Sequence, residues 1–357
     1  MINKLIRYTL IGLGIAVFGL ALTVFFQYKQ LQTTRIFSRV DEKIQVELNK
    51  LTLFKIEKRI RKEGIFPPHN VAEVKVDVPL SYPLDDLLRK AKNGFNSPEI
   101  QVLGFREENT KDTYKFYLDA GQDGFLTHKL IFSLKKAKIA LLIDDFGYTN
   151  DDRLINTFFQ EIPVPLTISI IPGTHFAEKI AKEAHRQKKQ ILVHLPMQPR
   201  GKFVNRYKWI ILKGMSGEKI EEIAREAIES IPYAQGLNNH MGSLATTQKE
   251  LMEPLLQVLK EKKMFFVDSR TSPSSIGYSL ARKLGVKSTF NCVFLDNKKE
   301  ESYIENQFKK LLSKAIEKGW ALGLGHSNIE TALALKKLVK ECDNRKVNFV
   351  FCSDILN

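Results

Sequence analysis

The hydrophobic and polar positions divide the chain into three stretches with different periods. From Tyr8 to Phe26 there is no charged residue, and an apolar run of about 20 residues matches a membrane span. From 30 to 136 the periods are mixed. Ile44, Leu48 and Leu51 recur at helical spacing in a charged segment running to Lys62, which Pro67-Pro68 breaks. Val74, Val76 and Val78 alternate with Glu73, Lys75 and Asp77, which predicts a half-buried strand. Leu84 to Ala91 predicts a helix. Tyr114, Phe116 and Leu118 alternate as a strand, and Leu130 to Leu134 predicts another.

From Lys138 onward, short apolar runs alternate with amphipathic segments. Ile139–Ile143, Leu166–Ile171, Gln190–Val193, Met264–Val267, Phe290–Leu295, Ala321–Leu324 and Val347–Phe351 read as buried strands. Helices are predicted through Lys188, from a Ser216 cap to Ser230, and after a Thr247-x-x-Glu250 capping box. Three more cover Ser275–Leu284, Ile304–Lys318 and Glu330–Lys340. Seven or eight strand–helix units imply an α/β fold with parallel strands, and the unit count favours closure into a (β/α) barrel. An open doubly wound sheet would need a Gly-rich phosphate turn after its first strand. Asp144-Asp145-Phe146-Gly147 puts acids there instead. The expected organisation is an N-terminal membrane anchor (1–29), a small α+β module of unknown role (30–136) and the barrel (137–357).

The apolar run also has topology to read. Lys4 and Arg7 precede it and no small-x-small cleavage site follows, so it is expected to stay as an uncleaved anchor. The basic N-terminus would remain cytoplasmic, with the rest outside the inner membrane. A cleaved signal peptide is the alternative and leaves the same compartment. Composition adds little beyond this. At 357 residues and 43% hydrophobic the chain can bury a full core. Its net charge of +15 is spread over amphipathic segments, and no zinc knuckle, RNA-binding aromatic signature or basic arm points to nucleic acid. Three cysteines, Cys292, Cys342 and Cys352, form no zinc pattern and are read as reduced thiols.

The chemistry lies at the predicted strand ends: Asp144 and Asp145, His194, His240, Asp268, Asp296 and His326. In a parallel barrel those ends converge on one face, where active sites are built. Carboxylates and imidazoles around an open position describe a catalytic divalent metal site, with zinc the usual occupant. The remaining histidines, His69, His128, His175 and His185, do not fall at such ends. His69 and His128 are expected at the surface.

Leu142-Ile143-Asp144-Asp145-Phe146-Gly147-Tyr148, His194-Leu195-Pro196-Met197 and Asn238-Asn239-His240-Met241-Gly242-Ser243 are followed by Phe266-Val267-Asp268-Ser269-Arg270-Thr271, Val293-Phe294-Leu295-Asp296 and Gly325-His326. In this order they resemble the divergent polysaccharide deacetylase family, a branch of the NodB-like carbohydrate esterases. The resemblance covers 138–357. It implies a distorted (β/α) barrel, a metal site and deacetylation of an envelope or related polysaccharide. It assigns Asp144 as general base, Asp145 as metal ligand and His326 as general acid. No His-x-x-x-His pair is present, so His194 and His240 are the implied further ligands. Asp268, Arg270, Asn239 and Asp296 would orient ligands or substrate. The chain departs from the family pattern at Asn291-Cys292, where Arg-Asp is expected, and at Ser327, where Pro is expected. The implied activity is metal-assisted hydrolysis of an N- or O-acetyl group. A membrane-anchored binding or scaffold protein with a degenerate barrel, and a metal hydrolase of another bond, are the alternatives.

Overall fold

The first unit of the chain is built on one long helix. The computed structural model describes residues 2–51, 54–64 and 68–357, and the chain divides into two compact units, Met1–Lys135 and Lys136–Asn357. Helix α1 (Ile2–Asn49) runs without a break through the boundary expected after residue 29. The reason is local: there is no proline before Pro67 and no glycine between Gly19 and Gly64, so nothing stops the helix where the apolar run ends. At 1.5 Å per residue it is about 72 Å long. Its first half is long and apolar enough to span a membrane and is unburied by the chain. Its second half buries Thr33, Ile36, Phe37, Val40, Ile44 and Leu48, a stripe at helical spacing.

That stripe belongs to the core of a five-stranded sheet with order β1-β2-β5-β4-β3. Its strands are β1 (Lys55–Glu63), β2 (His69–Asp77), β3 (Gln101–Asn109), β4 (Thr113–Gln122) and β5 (Phe125–Lys135), with α2 (Leu84–Lys92) between β2 and β3. The expected helical character up to Lys62 is corrected here. Residues 55–63 form an edge strand paired antiparallel to β2. Its apolar residues, Ile56 and Ile60, sit four apart as in a helix, and the strand is exposed on both faces, so no alternation marked it. Strand β3, at the other edge, was likewise unpredicted. Pro67 of the expected Pro67-Pro68 break lies outside the described residues.

His128 is also corrected, from surface to core. It follows the inward phase of Leu130, Phe132 and Leu134 on β5 and is fully buried. Its Nε2 lies 2.9 Å from Asp41 Oδ1 on α1, its Nδ1 lies 3.0 Å from Thr127 Oγ1, and its ring stacks on Phe37. Burial, against the Asp41 carboxylate, lowers its pKa.

The second unit is a parallel sheet wrapped by helices. Its strands are β6 (Ala137–Phe146), β7 (Thr167–Ile170), β8 (Gln190–Met197), β9 (Gly236–Met241), β10 (Phe265–Asp268), β11 (Ser288–Phe290), β12 (Val293–Phe294), β13 (Trp320–His326) and β14 (Val347–Val350). The helices are α3 (Asp152–Asn156), α4 (Ala177–Arg186), α5 (Gly217–Glu229), α6 (Lys249–Glu261), α7 (Gly277–Lys283), α8 (Glu301–Lys318) and α9 (Ile329–Leu338). Sheet order is β11-β10-β9-β8-β7-β6-β13-β12, with β14 beside the first half of β6. The central β6 is buried along nearly its whole length, as its uncharged run from Ile139 to Ile143 predicts.

The expected single strand Phe290–Leu295 is two short ones, on the two edges of the sheet. Only Asn291 and Cys292 separate β11 from β12, a reach of about 10 Å. The sheet must therefore curl until its edges nearly meet. The link bridges them: Asn291 N–H donates to Asp268 O on β10, and Cys292 N–H donates to Leu322 O on β13. The barrel is thus distorted and its ladder open at this seam. Ser216 caps α5 as predicted, accepting from Lys219 N. The Thr247–Glu250 capping box does not form. Helix α6 starts after Gln248, and the Thr247 hydroxyl donates instead to Leu244 O.

Candidate metal centre

The C-terminal ends of β6, β8, β9 and β13 carry the acids and imidazoles to one face of the barrel. Strand β6 delivers Asp144 and Asp145. Neighbours on a regular strand point to opposite faces, but the pairing of β6 with β7 slips between Ile143 and Phe146, and Asp145 adopts φ +66°. A bulge of this kind re-aims a side chain, and both carboxylates come within reach of His194. Left-handed backbone is uncommon for residues with a Cβ and costs about 1–3 kcal/mol, typically at functional sites. Gly147, at φ +114°, completes the bend, and a Cβ there would fall 2.1 Å from the Thr174 hydroxyl oxygen.

Strands β8 and β9 pair with His194 beside Asn238 and Pro196 beside His240. Asp145 Oδ1 lies 3.0 Å from His240 Nδ1 and 3.3 Å from His194 Nε2, and those two nitrogens are 3.1 Å apart. Neither approach to Oδ1 has hydrogen-bond geometry, so this buried oxygen has no donor. Orphaned buried acceptors are rare in proteins. One that faces two imidazole nitrogens is an arrangement that a cation completes. Burial opposes its charge, yet the two imidazoles hold the Asp145 carboxyl well below the usual carboxylate range. Donor atoms from Asp145, His194 and His240 all lie within 4.8 Å of one another. One carboxylate and two imidazoles are a donor set of catalytic zinc. The residues fit a divalent metal.

Their orientation is set by neighbours that hold the other ring nitrogens. His194 Nδ1 is 3.1 Å from Asn238 Oδ1. The Asn238 amide is itself fixed, donating to both oxygens of Asp144 at 2.9 and 3.1 Å and to Ser269 Oγ at 3.0 Å, while accepting from Ser169 Oγ. Facing an amide oxygen, His194 donates from Nδ1, which would leave Nε2 for a bound cation. His240 Nε2 lies 2.9 Å from the Tyr207 hydroxyl, which leaves Nδ1 for the cluster. Neither Asn238 nor Tyr207 was singled out from sequence. Alternation offers a signal for Asn238, which shares the face of His240 two residues on. Tyr207 sits in the irregular stretch between β8 and α5 and has no such signal. Tyr207→Phe is expected to weaken metal binding about tenfold, read by competition with a chromogenic chelator. Unchanged affinity would show that Tyr207 does not hold His240.

Asp144 is buried, and its Oδ2 is 3.4 Å from His194 Nε2. Burial raises its pKa, with the Asp145 charge adding to the effect and the imidazoles and Asn238 opposing it. Beside it in register on β13 stands His326. His326 Nδ1 contacts Asp296 Oδ1 at 2.8 Å, and Asp296 Oδ2 accepts from His326 N–H, Asn328 Nδ2 and Thr331 Oγ1. Burial disfavours the imidazolium, but the Asp296 hydrogen bond and charge outweigh it and push His326 up to about 9.

The structure gives Asp268, Arg270 and Asn239 other surroundings. Asp268 accepts from Arg270 N–H, Ser275 Oγ and Tyr278 N–H, which ties down the 269–278 segment. The Arg270 guanidinium lies 3.5 Å from the centroid of the Phe290 ring. Asn239 points to the opposite face from His240, accepting from Ser269 N–H and donating to Met241 O. At the seam, Asn291 Oδ1 accepts from Val293 N–H, so the residue that departs from the family pattern shapes the barrel closure.

Comparison with known proteins agrees with this architecture. A family model described as divergent polysaccharide deacetylase matches residues 141–356. An uncharacterized protein of Haemophilus influenzae is 35% identical over 206 residues, 57% of this chain and 72% of that protein. The uncharacterized Escherichia coli protein YibQ is 32% identical over 222 residues, 62% of this chain and 67% of its own length. The crystal structure of an uncharacterized Agrobacterium tumefaciens protein shares the fold, with a TM-score of 0.58 and 19% identity over 62% of this chain and 89% of that one. Matched over more than half its length, from the middle of β6 to its last turn, this chain belongs to the divergent polysaccharide deacetylase family.

Proposed function

We propose that the protein is a membrane-anchored, metal-dependent deacetylase of an envelope polysaccharide. The observation that supports this best is the grouping of three unlike sets on one barrel face: the Asp145–His194–His240 donors, the second carboxylate of Asp144, and the His326–Asp296 pair. A divalent metal held by the three donors, zinc by preference, would supply a Lewis acid and acidify a water from near 16 towards roughly 7. Asp144 then takes the proton of the attacking water. Its environment suits a base: Asn238 fixes its two oxygens, and burial lifts its basicity above that of an exposed aspartate. His326, kept protonated by Asp296, gives its proton to the departing amine or alkoxide. A degenerate scaffold gains nothing from a strained Asp145 with an unanswered buried oxygen, which favours the working enzyme. The apolar half of α1 would hold the chain in the inner membrane, with the barrel on the extracytoplasmic side.

The test is acetate release from acetylated chitooligosaccharide and peptidoglycan by the full chain in detergent. Release should disappear after chelation and return with added zinc. Acetate release that is indifferent to chelation, or absent from every acetylated polymer, would overturn the proposal.

A further inference from the structure

The proposed activity leaves the chemical class of the polymer open, and the loop between β8 and α5 bears on it. Residues 198–216 contain Arg200, Lys202, Arg206, Lys208 and Lys213, and no acid. Arg200, Lys202, Arg206 and Lys213 have no ion pair among the described residues, and Lys208 lies over the Trp209 ring. Several cations on the helices that flank the loop in sequence, α4 and α5, are instead paired locally, as in Lys182–Glu178, Arg186–Glu183 and Lys219–Glu222. The loop is also held against the centre. Tyr207 contacts the ligand His240, and Arg200 N–H donates to Ser243 Oγ just beyond it. Tyr148, which follows the Asp144-Asp145 bend, is exposed, and its phenol faces Tyr207. An exposed aromatic ring offers a flat face for a sugar, and the loop cations offer partners for its charged substituents.

We infer that the substrate is an anionic polysaccharide, whose carboxylate or phosphate groups are held by Arg200, Lys202 and Arg206 while an acetylated sugar lies at the centre. This rests on the deacetylase reading for the chemistry but not for the binding. Basic residues also occupy the turns at the opposite end of the barrel, including Lys188, Lys263 and Lys287. They supply a charge-matched control, because a general effect of net charge would not distinguish the two sets.

The full chain in nonionic detergent is titrated with partly O-acetylated polygalacturonate and with the same polymer methyl-esterified to remove its charge. At about 50 mM salt, where surface charge is weakly screened, the anionic polymer should bind at least tenfold more tightly. The combined variant Arg200→Gln, Lys202→Gln, Arg206→Gln should lose about tenfold or more, and Lys188→Gln, Lys263→Gln, Lys287→Gln should lose nothing. Equal binding of the esterified polymer, or equal losses in both variants, overturns the inference. So does equally tight binding, with the same loss, to phosphatidylglycerol vesicles or to DNA. Acetate is measured separately on both polymers. Charge-selective binding without acetate release from any polymer removes the deacetylase reading and leaves this one standing. Release from both polymers with equal binding does the reverse.

Discussion

Replacing Asp145 with Asn should abolish stoichiometric metal binding and acetate release, and should lower the stability of the metal-free protein at neutral pH. The amide removes the anionic donor from a three-donor set, and a neutral oxygen is a poor substitute for a carboxylate towards zinc. Stability should fall as well. In the metal-free protein burial is outweighed by His194 and His240, which favour the charged Asp145 carboxylate; it contributes stability above the unfolded pKa, and the variant loses that contribution. Asparagine adopts the φ +66° backbone as readily, so the backbone adds no further cost. Zinc should raise the melting temperature of the parent, by about 2.7 kcal/mol of stability at a hundredfold excess over Kd, and leave the variant unmoved. Elemental analysis and thermal melts with and without zinc check both halves. A full equivalent of metal in the variant would remove Asp145 from the ligand set. A metal-free melting point equal to the parent's at neutral pH would show that the imidazoles do not stabilise its charge.

Most of the barrel was legible because its determinants are local. Continuous apolar runs such as Ile139–Ile143 can hardly be anything but strands buried on both faces, and their alternation with amphipathic segments dictates a parallel sheet. What escaped were features that depend on pairing partners. Strand β1 is exposed on both faces and exists because β2 presents an open edge to it. The break at Asn291-Cys292 exists because a curled sheet needs a link between its edges. The site divided in the same way. Asp144, Asp145, His194, His240 and His326 announce themselves as chemistry-bearing residues at strand ends. The groups that aim them do not, since an asparagine or tyrosine is ordinary until its partner is known. Asn238 and Asn239 make the point: period-two alternation places only Asn238 on the face of His240, and residue type alone could not choose between them. Where Asp144 and Asp145 point was decided by backbone conformation, a bulge with Asp145 itself in the left-handed region, more than by the freedom of Gly147.

The His326–Asp296 pair leads to the second large effect, on the pH dependence of turnover. A general acid works only while protonated, so activity should fall as pH rises through the His326 pKa, about 9 for the metal-free protein. A divalent cation nearby works against a second positive charge, which brings this alkaline limb below 9 in the loaded enzyme. Asp296→Asn should move it lower still. Asp296 Oδ2 already accepts from His326 N–H, Asn328 and Thr331, so the variant's amide oxygen takes that position. Its amide nitrogen then faces His326 Nδ1, where it donates, and the imidazole must accept and be neutral. With the anion gone, the pKa falls to the ordinary value near 6.5 or below. At the metal-free values the protonated fraction at pH 8 drops from about 0.9 to about 0.03, and a cation that lowers both pKa values alike leaves the rate loss at roughly 30-fold or more. Near pH 5.5 most of the difference should vanish. The same shift has a stability counterpart of known sign. Because folding raises the His326 pKa, its pairing with Asp296 stabilises fully below about 6.5, and this is lost as pH rises through about 9. The variant should lack that pH-dependent component. Profiles of kcat and kcat/KM from pH 5 to 10 for both proteins decide the matter. Superimposable alkaline limbs would show that Asp296 does not govern the protonation of His326, and that the acid of the reaction lies elsewhere.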